Sequence, residues 1–116
     1  MDEFIFRAWN KKEKTFMIQG TPDLETIGSF FFHLPDDESE YILEQYTGVK
    51  DKKGKEIYEG DIVKALYNES KNEGEVFWYD HWSGWGIGNV RMSAHPRGHS
   101  EIIGNIHQET FPPNNQ

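Results

Sequence analysis

The segment "HPRGH" sets His95 and His99 four residues apart, the spacing at which two imidazoles on one helical face can share a metal ion. His81, His107 and the carboxylate of Asp80 could complete a ligand set if folding brought them together. Pro96 and Gly98 fall between the first pair and work against a helix, so the spacing loses its meaning and metal-free surface histidines are expected. Carboxylates offer the other chemistry. Glu59 and Asp61 flank Gly60, and Asp36, Asp37 and Glu38 are consecutive. General acid–base catalysis needs two carboxyls in one pocket, and among 20 acids such neighbours arise by chance. No cysteine can serve as nucleophile, thiolate ligand or disulfide partner, and neither a phosphate-binding glycine loop nor a GxSxG elbow occurs. The expectation is a non-enzymatic protein with no catalytic residues, metal or cofactor.

The aromatic cluster is the stronger signal. Trp78, Tyr79, Trp82 and Trp85 fall within eight residues, interleaved with Gly84, Gly86 and Gly88. In an alternating strand Val76 and Trp78 share one face, while Phe77 and Tyr79 share the other. One set turns outward unless a second layer covers it. Beside Lys64, Arg91 and Arg97, an outward set could stack on unpaired bases, as small barrels that bind single strands do. The favoured reading puts Trp78 and Trp85 in the core and Tyr79 and Trp82 at a rim or subunit contact. Lys64, Trp78, Tyr79, Trp82, Trp85, Arg91 and Arg97 are therefore the candidate binding or interface surface.

Charge narrows the partners. Twelve Lys and Arg against 20 Asp and Glu give a net −8, and duplex DNA is gripped by cations converging on one track. Duplex binding is not expected; single-stranded nucleic acid remains the alternative, because stacking needs fewer cations. No apolar run long enough for a bilayer span or signal peptide is present, so a cytoplasmic protein without membrane contact is expected. So many aromatics on alternating strands of a small chain point to homo-oligomerisation, since both faces are hard to cover alone.

Short strands must position these residues. "FIFRAW" and "TFMIQ", joined by "NKKEK", form a β-hairpin. In "TPDLETIG", Thr21 caps a short helix with Pro22 at its first position and Gly28 stopping it. "SFFFHL" is a short apolar strand, "PDDESE" a solvated acidic loop and "YILEQYTG" a strand. "DIVKALYN", "EVFWYDHW", "SGWGIGNV" and "EIIGNIHQ" supply further strands, with a loop over residues 91–100. The expected fold is mainly β: a small SH3-like or bent-sheet barrel preceded by an N-terminal β-hairpin, with at most one short helix. A single domain is expected over residues 1–108. Its hairpin and capping region is 1–44, its barrel-like core 45–108, and residues 109–116 are a loose tail.

Between the apolar pieces lies "QYTGVKDKKGKEIYEGDIV", residues 45–63, with four lysines, four acids and three glycines. It reads as two corners. Gly54 permits a positive φ while Asp51 bonds the backbone two residues on; Gly60 bends the chain while Asp61 accepts a backbone N–H. Lys50, Lys52, Lys53 and Lys55 then lie on an exposed tip. Gly48, Asp51, Gly54, Gly60 and Asp61 are assigned structural roles.

This stretch, continued through Lys64, resembles the signature of the YopX family, small proteins of bacteriophages and prophages of Gram-positive bacteria. "FIFRAWNKKEKTFM" is similar to that family's opening hairpin and "EIIGNIHQ" to its closing strand. The resemblance implies a phage-type origin and a mainly β fold, and it implies no catalytic residues. The acidic charge, the missing catalytic signatures and the aromatic excess point to an accessory protein of the host cytoplasm that binds or scaffolds through protein contacts.

Overall fold

In a computed structural model of the chain, residues 5–65, 72–80, 84–87, 90–91 and 100–108 are described. They form a mainly β protein with two antiparallel sheets and one short α-helix. The chain divides into two units, Met1–Tyr46 and Thr47–Gln116. One sheet has the order β2 (Thr15–Ile18), β1 (Phe6–Asn10), β3 (Tyr41–Lys50), β4 (Glu56–Tyr58), and the other β8 (Val90–Arg91), β7 (Gly84–Ile87), β6 (Asn72–Tyr79), β5 (Asp61–Ala65), β9 (Ser100–Asn105).

In the first unit, β1 (Phe6–Asn10) and β2 (Thr15–Ile18) form the expected hairpin, with Ala8 opposite Met17 and Trp9 opposite Phe16. Its turn is made by Asn10, whose side-chain oxygen accepts from the N–H groups of Lys12 (3.0 Å) and Glu13 (2.8 Å). On its other side β1 pairs with β3 (Tyr41–Lys50), setting Arg7 opposite Glu44. That register buries both side chains: Arg7 Nε donates to Glu44 Oε1 at 2.8 Å, and the guanidinium lies 4.3 Å from the Phe16 ring centre.

Two local expectations are corrected here. The chain turns at residues 21–24, where Leu24 N–H donates to the Thr21 carbonyl at 2.9 Å and Asp23 has φ 72°. Pro22 is therefore the second residue of a type II turn rather than the start of a helix. The helix, α1 (Ile27–Phe32), begins after Thr26 and takes in four of the residues expected as a strand, Ser29 to Phe32. Thr26 Oγ1 caps it by accepting from Ser29 N–H at 2.9 Å. Phe30 is fully buried and Phe31 meets Phe6 edge-on at 5.6 Å, so helical spacing rather than alternation suits this aromatic run. A 3-10 turn over Glu38–Glu40, capped by Asp37, sits within the acidic loop.

In the second unit, β4 (Glu56–Tyr58) and β5 (Asp61–Ala65) follow the lysine tip. Then come β6 (Asn72–Tyr79), β7 (Gly84–Ile87), the two-residue β8 (Val90–Arg91) and β9 (Ser100–Asn105). One of the two sheets is a half-barrel. A register shift between Ile62 and Val63 against β9 adds the local bend that such curvature needs. The core is aliphatic: Ile57, Val63, Val76 and Ile87 are buried together, with Val49, Trp85 and Ile102 packed against them.

Candidate functional site

The aromatic surface is built by β6 and β7. Their register sets Val76 opposite Ile87 and Trp78 opposite Trp85, all four on one face because alternation has period two. The core occupies only the Val76–Ile87 end of that row. Trp85 packs against it, but Trp78 is 47% exposed, which corrects its expected core position. The indoles meet edge-on at 5.3 Å, and Trp78 Nε1–H donates to Asp80 at 2.9 Å. On the opposite face Phe77 and Tyr79 meet edge-on at 5.9 Å, paired in register with Gly86 and Gly84. Tyr79 is exposed.

Lys64 is not beside the tryptophans. It is half-buried on β5, in register with Glu73 of β6 and Glu101 of β9. That row belongs to the Phe77 and Tyr79 face, and five residues of strand, about 3.3 Å each, separate Glu73 from Trp78. The described charges nearest the aromatic pair along β6 are acids, Glu75 and Asp80, both exposed. The backbone of Arg91 pairs with Gly86. Trp82 and Arg97 lie outside the described residues, as do His81, His95, His99 and the segment 109–116.

The lysine tip is a turn held by a buried carboxylate. Asp51 Oδ1 accepts from Lys53 N–H (2.8 Å) and Lys55 N–H (2.9 Å), and Oδ2 accepts from Ile102 N–H of β9 (3.2 Å). Lys52 N–H donates to the Ser100 carbonyl at 2.8 Å, so the turn ties down the start of β9. Burial pushes the Asp51 pKa up, but the N–H groups of Lys55, Ile102 and Lys53 and the Lys55 charge outweigh it, leaving the carboxyl below its usual range. Lys50, Lys52, Lys53 and Lys55 are exposed as expected; Lys52 and Lys53 reach Glu101 at 3.5 and 3.1 Å. The second corner repeats the device: buried Asp61 accepts from Tyr58 N–H at 2.8 Å. Gly60 donates to Val76 and accepts from Ile106, each at 2.9 Å. Gly48, Gly54 and Gly60 all have positive φ, at 90°, 83° and 91°.

Sequence reading found both corners because each carries its own local signal. It missed the Arg7–Glu44 pair, the bond from Asp51 to Ile102 and the exposed apolar side of α1. The first two depend on strand partners distant in sequence; only the cap at Thr26, three residues before Ser29, could have revealed the third. Among the described residues no group of three His, Asp or Glu is placed to hold a metal, and no helix is long and apolar enough to cross a membrane.

Over residues 5–111 the sequence matches the model of a family described as YopX protein. No curated protein matches it. The fold is similar to the crystal structure of protein EF1440 from Enterococcus faecalis, at 23% identity and a TM-score of 0.59, covering 92% of this chain and 95% of that one.

Proposed function

The chain belongs to the YopX family, and from that premise we propose that it is a phage- or prophage-borne accessory protein without catalytic activity, binding or scaffolding through protein contacts in the host cytoplasm. The observation that carries this reading is the exposure of Trp78 and Tyr79 at the end of β6, beside Glu75 and Asp80. Aromatic side chains offer large contact area at small conformational cost, and they are enriched where proteins meet. The acids beside them oppose a phosphate backbone, and the Trp78 indole N–H is already engaged by Asp80. Protein contact suits that surface better than base stacking. Pairing of two copies through the tryptophan-bearing strands is the simplest use of it.

Sedimentation equilibrium tests this reading. The expected outcome is self-association in the micromolar range that Trp78→Ser with Tyr79→Ser abolishes without changing the far-ultraviolet circular dichroism. A monomer throughout that range would remove the oligomer. Salt-sensitive binding of single-stranded oligonucleotides with tryptophan quenching would replace protein contact by nucleic-acid binding. Labelled duplex is expected to stay free at physiological salt.

A further inference from the structure

The six-residue helix α1 keeps apolar side chains in water. Phe30 is fully buried and Phe31 leans on Phe6, yet Ile27 is 43%, Phe31 41% and Phe32 82% exposed. Ile27 and Phe31 are four apart and share a side of the helix, with Phe32 next around it. A phenylalanine as open as Phe32 contributes little to folding, because most of its surface never leaves water. The flanking chain is anionic. Between Thr15 and Val49 the sequence has no Lys or Arg, and it has seven acids. Glu44 is buried against Arg7; the other six, Asp23, Glu25, Asp36, Asp37, Glu38 and Glu40, are exposed. Asp37 is held ionised, its pKa lowered by the N–H and hydroxyl of Ser39.

Arg7 is buried against Glu44, and the exposed lysines of the same unit lie elsewhere. Phe31 meets β1 at Phe6, whereas Lys11, Lys12 and Lys14 belong to the hairpin turn beyond Asn10. Four strand residues at about 3.3 Å each separate Phe6 from Asn10. The turn rejoins the acidic segment only past its middle, where Lys11 N–H donates to the Glu40 carbonyl at 3.0 Å.

We propose that the exposed side of α1, Ile27, Phe31 and Phe32 between acidic flanks, is a docking surface for a cationic amphipathic segment of a partner protein. The proposal rests on the protein-contact reading above and gives it a second surface, on the first unit. Charge complementarity selects the occupant. Phosphate-rich partners and anionic lipid surfaces are repelled by the six carboxylates, while a segment alternating aliphatic and Lys or Arg side chains satisfies both the rings and their rim. A second copy of this chain is a poor occupant. Its lysine tip offers no large apolar side chain between Lys50 and Lys55, and Lys52 and Lys53 already face Glu101.

The test uses the full chain and a labelled amphipathic Lys/Leu peptide, with a Glu/Leu peptide and a Lys/Ser peptide as controls, read by fluorescence anisotropy. Only the Lys/Leu peptide is expected to bind. Phe32→Ser should weaken it about tenfold or more, as loss of a central aromatic contact does. Asp36→Asn with Asp37→Asn should weaken it less and flatten its salt dependence. Equal binding to wild type and Phe32→Ser, or equal binding of the Lys/Ser peptide, would overturn the docking surface. So would self-association that Phe32→Ser abolishes, since the occupant would then be a second copy. No Lys/Leu binding, with tryptophan-dependent self-association intact, would end this proposal and leave the protein-contact reading standing.

Discussion

The two units solve the burial of charge in opposite ways. In the second, the buried acids Asp51 and Asp61 accept backbone N–H groups at the corners of a turn. In the first, the buried acid Glu44 answers a buried base, Arg7, from the neighbouring strand. A carboxylate that serves its own turn is specified by a short run of chain. A carboxylate that serves a strand partner is specified by register, which the chain reveals only once it is paired. The same division separates the surfaces. The corner segment spends its polar groups on its own backbone and on the start of β9, whereas the region around α1 leaves acids and apolar rings facing water.

The sharpest way to break that comparison is to remove one partner of the buried pair. Glu44→Ala strands the Arg7 guanidinium and is expected to cost about 3–5 kcal/mol in urea unfolding. The double variant Arg7→Met, Glu44→Leu should recover most of the loss, because the pair secures register more than net energy. A double variant as unstable as the single one would mean that the ion pair itself holds β1 to β3.

Asp51→Ala comes next, at about 3 kcal/mol, since it strips the partner from three backbone donors. Its effect should depend on pH with a definite sign. The folded Asp51 pKa is lowered, so its contribution is complete above the ordinary unfolded value of about 3.9 and is lost as pH falls through the folded pKa. Urea midpoints of wild type and variant should therefore converge on acidification. Parallel curves would show that Asp51 acts by packing alone.

Gly60→Val is expected to cost about 2 kcal/mol, because a β-branched residue is forced to a φ of 91° at a buried corner. The smallest effect belongs to the lysine tip. Replacing Lys50, Lys52, Lys53 and Lys55 together by Ser should change stability by less than about 1 kcal/mol, as solvated charges do. A larger loss would make the contacts from Lys52 and Lys53 to Glu101 structural and blur the line between corner and surface.

Much of this could be read from the chain. Alternation in "FIFRAW" and "EVFWYD" marked the hairpin and β6, and glycine with a nearby Asp marked both corners. Family resemblance pointed to the fold and to nothing chemical. The errors fell where local signals competed. Pro22 suits both the first turn of a helix and the second position of a type II turn, and Asp23 at φ 72° decided for the turn. Phe30 to Phe32 favour strands by propensity, yet the Thr26 cap and the burial of Phe30 made a helix.

What the sequence determined alone was everything set by bonds within a few residues: the β character, the corners at Gly54 and Gly60, the exposed lysines and the acidic balance. What only tertiary structure decided was which polar groups are buried, where the core ends beneath Trp78, and which apolar side chains of α1 face water. The physical reason is range. Turn chemistry closes over three or four residues and is written in order along the chain. Burial and register are sums over partners dozens of residues away, such as Arg7 with Glu44 and Asp51 with Ile102.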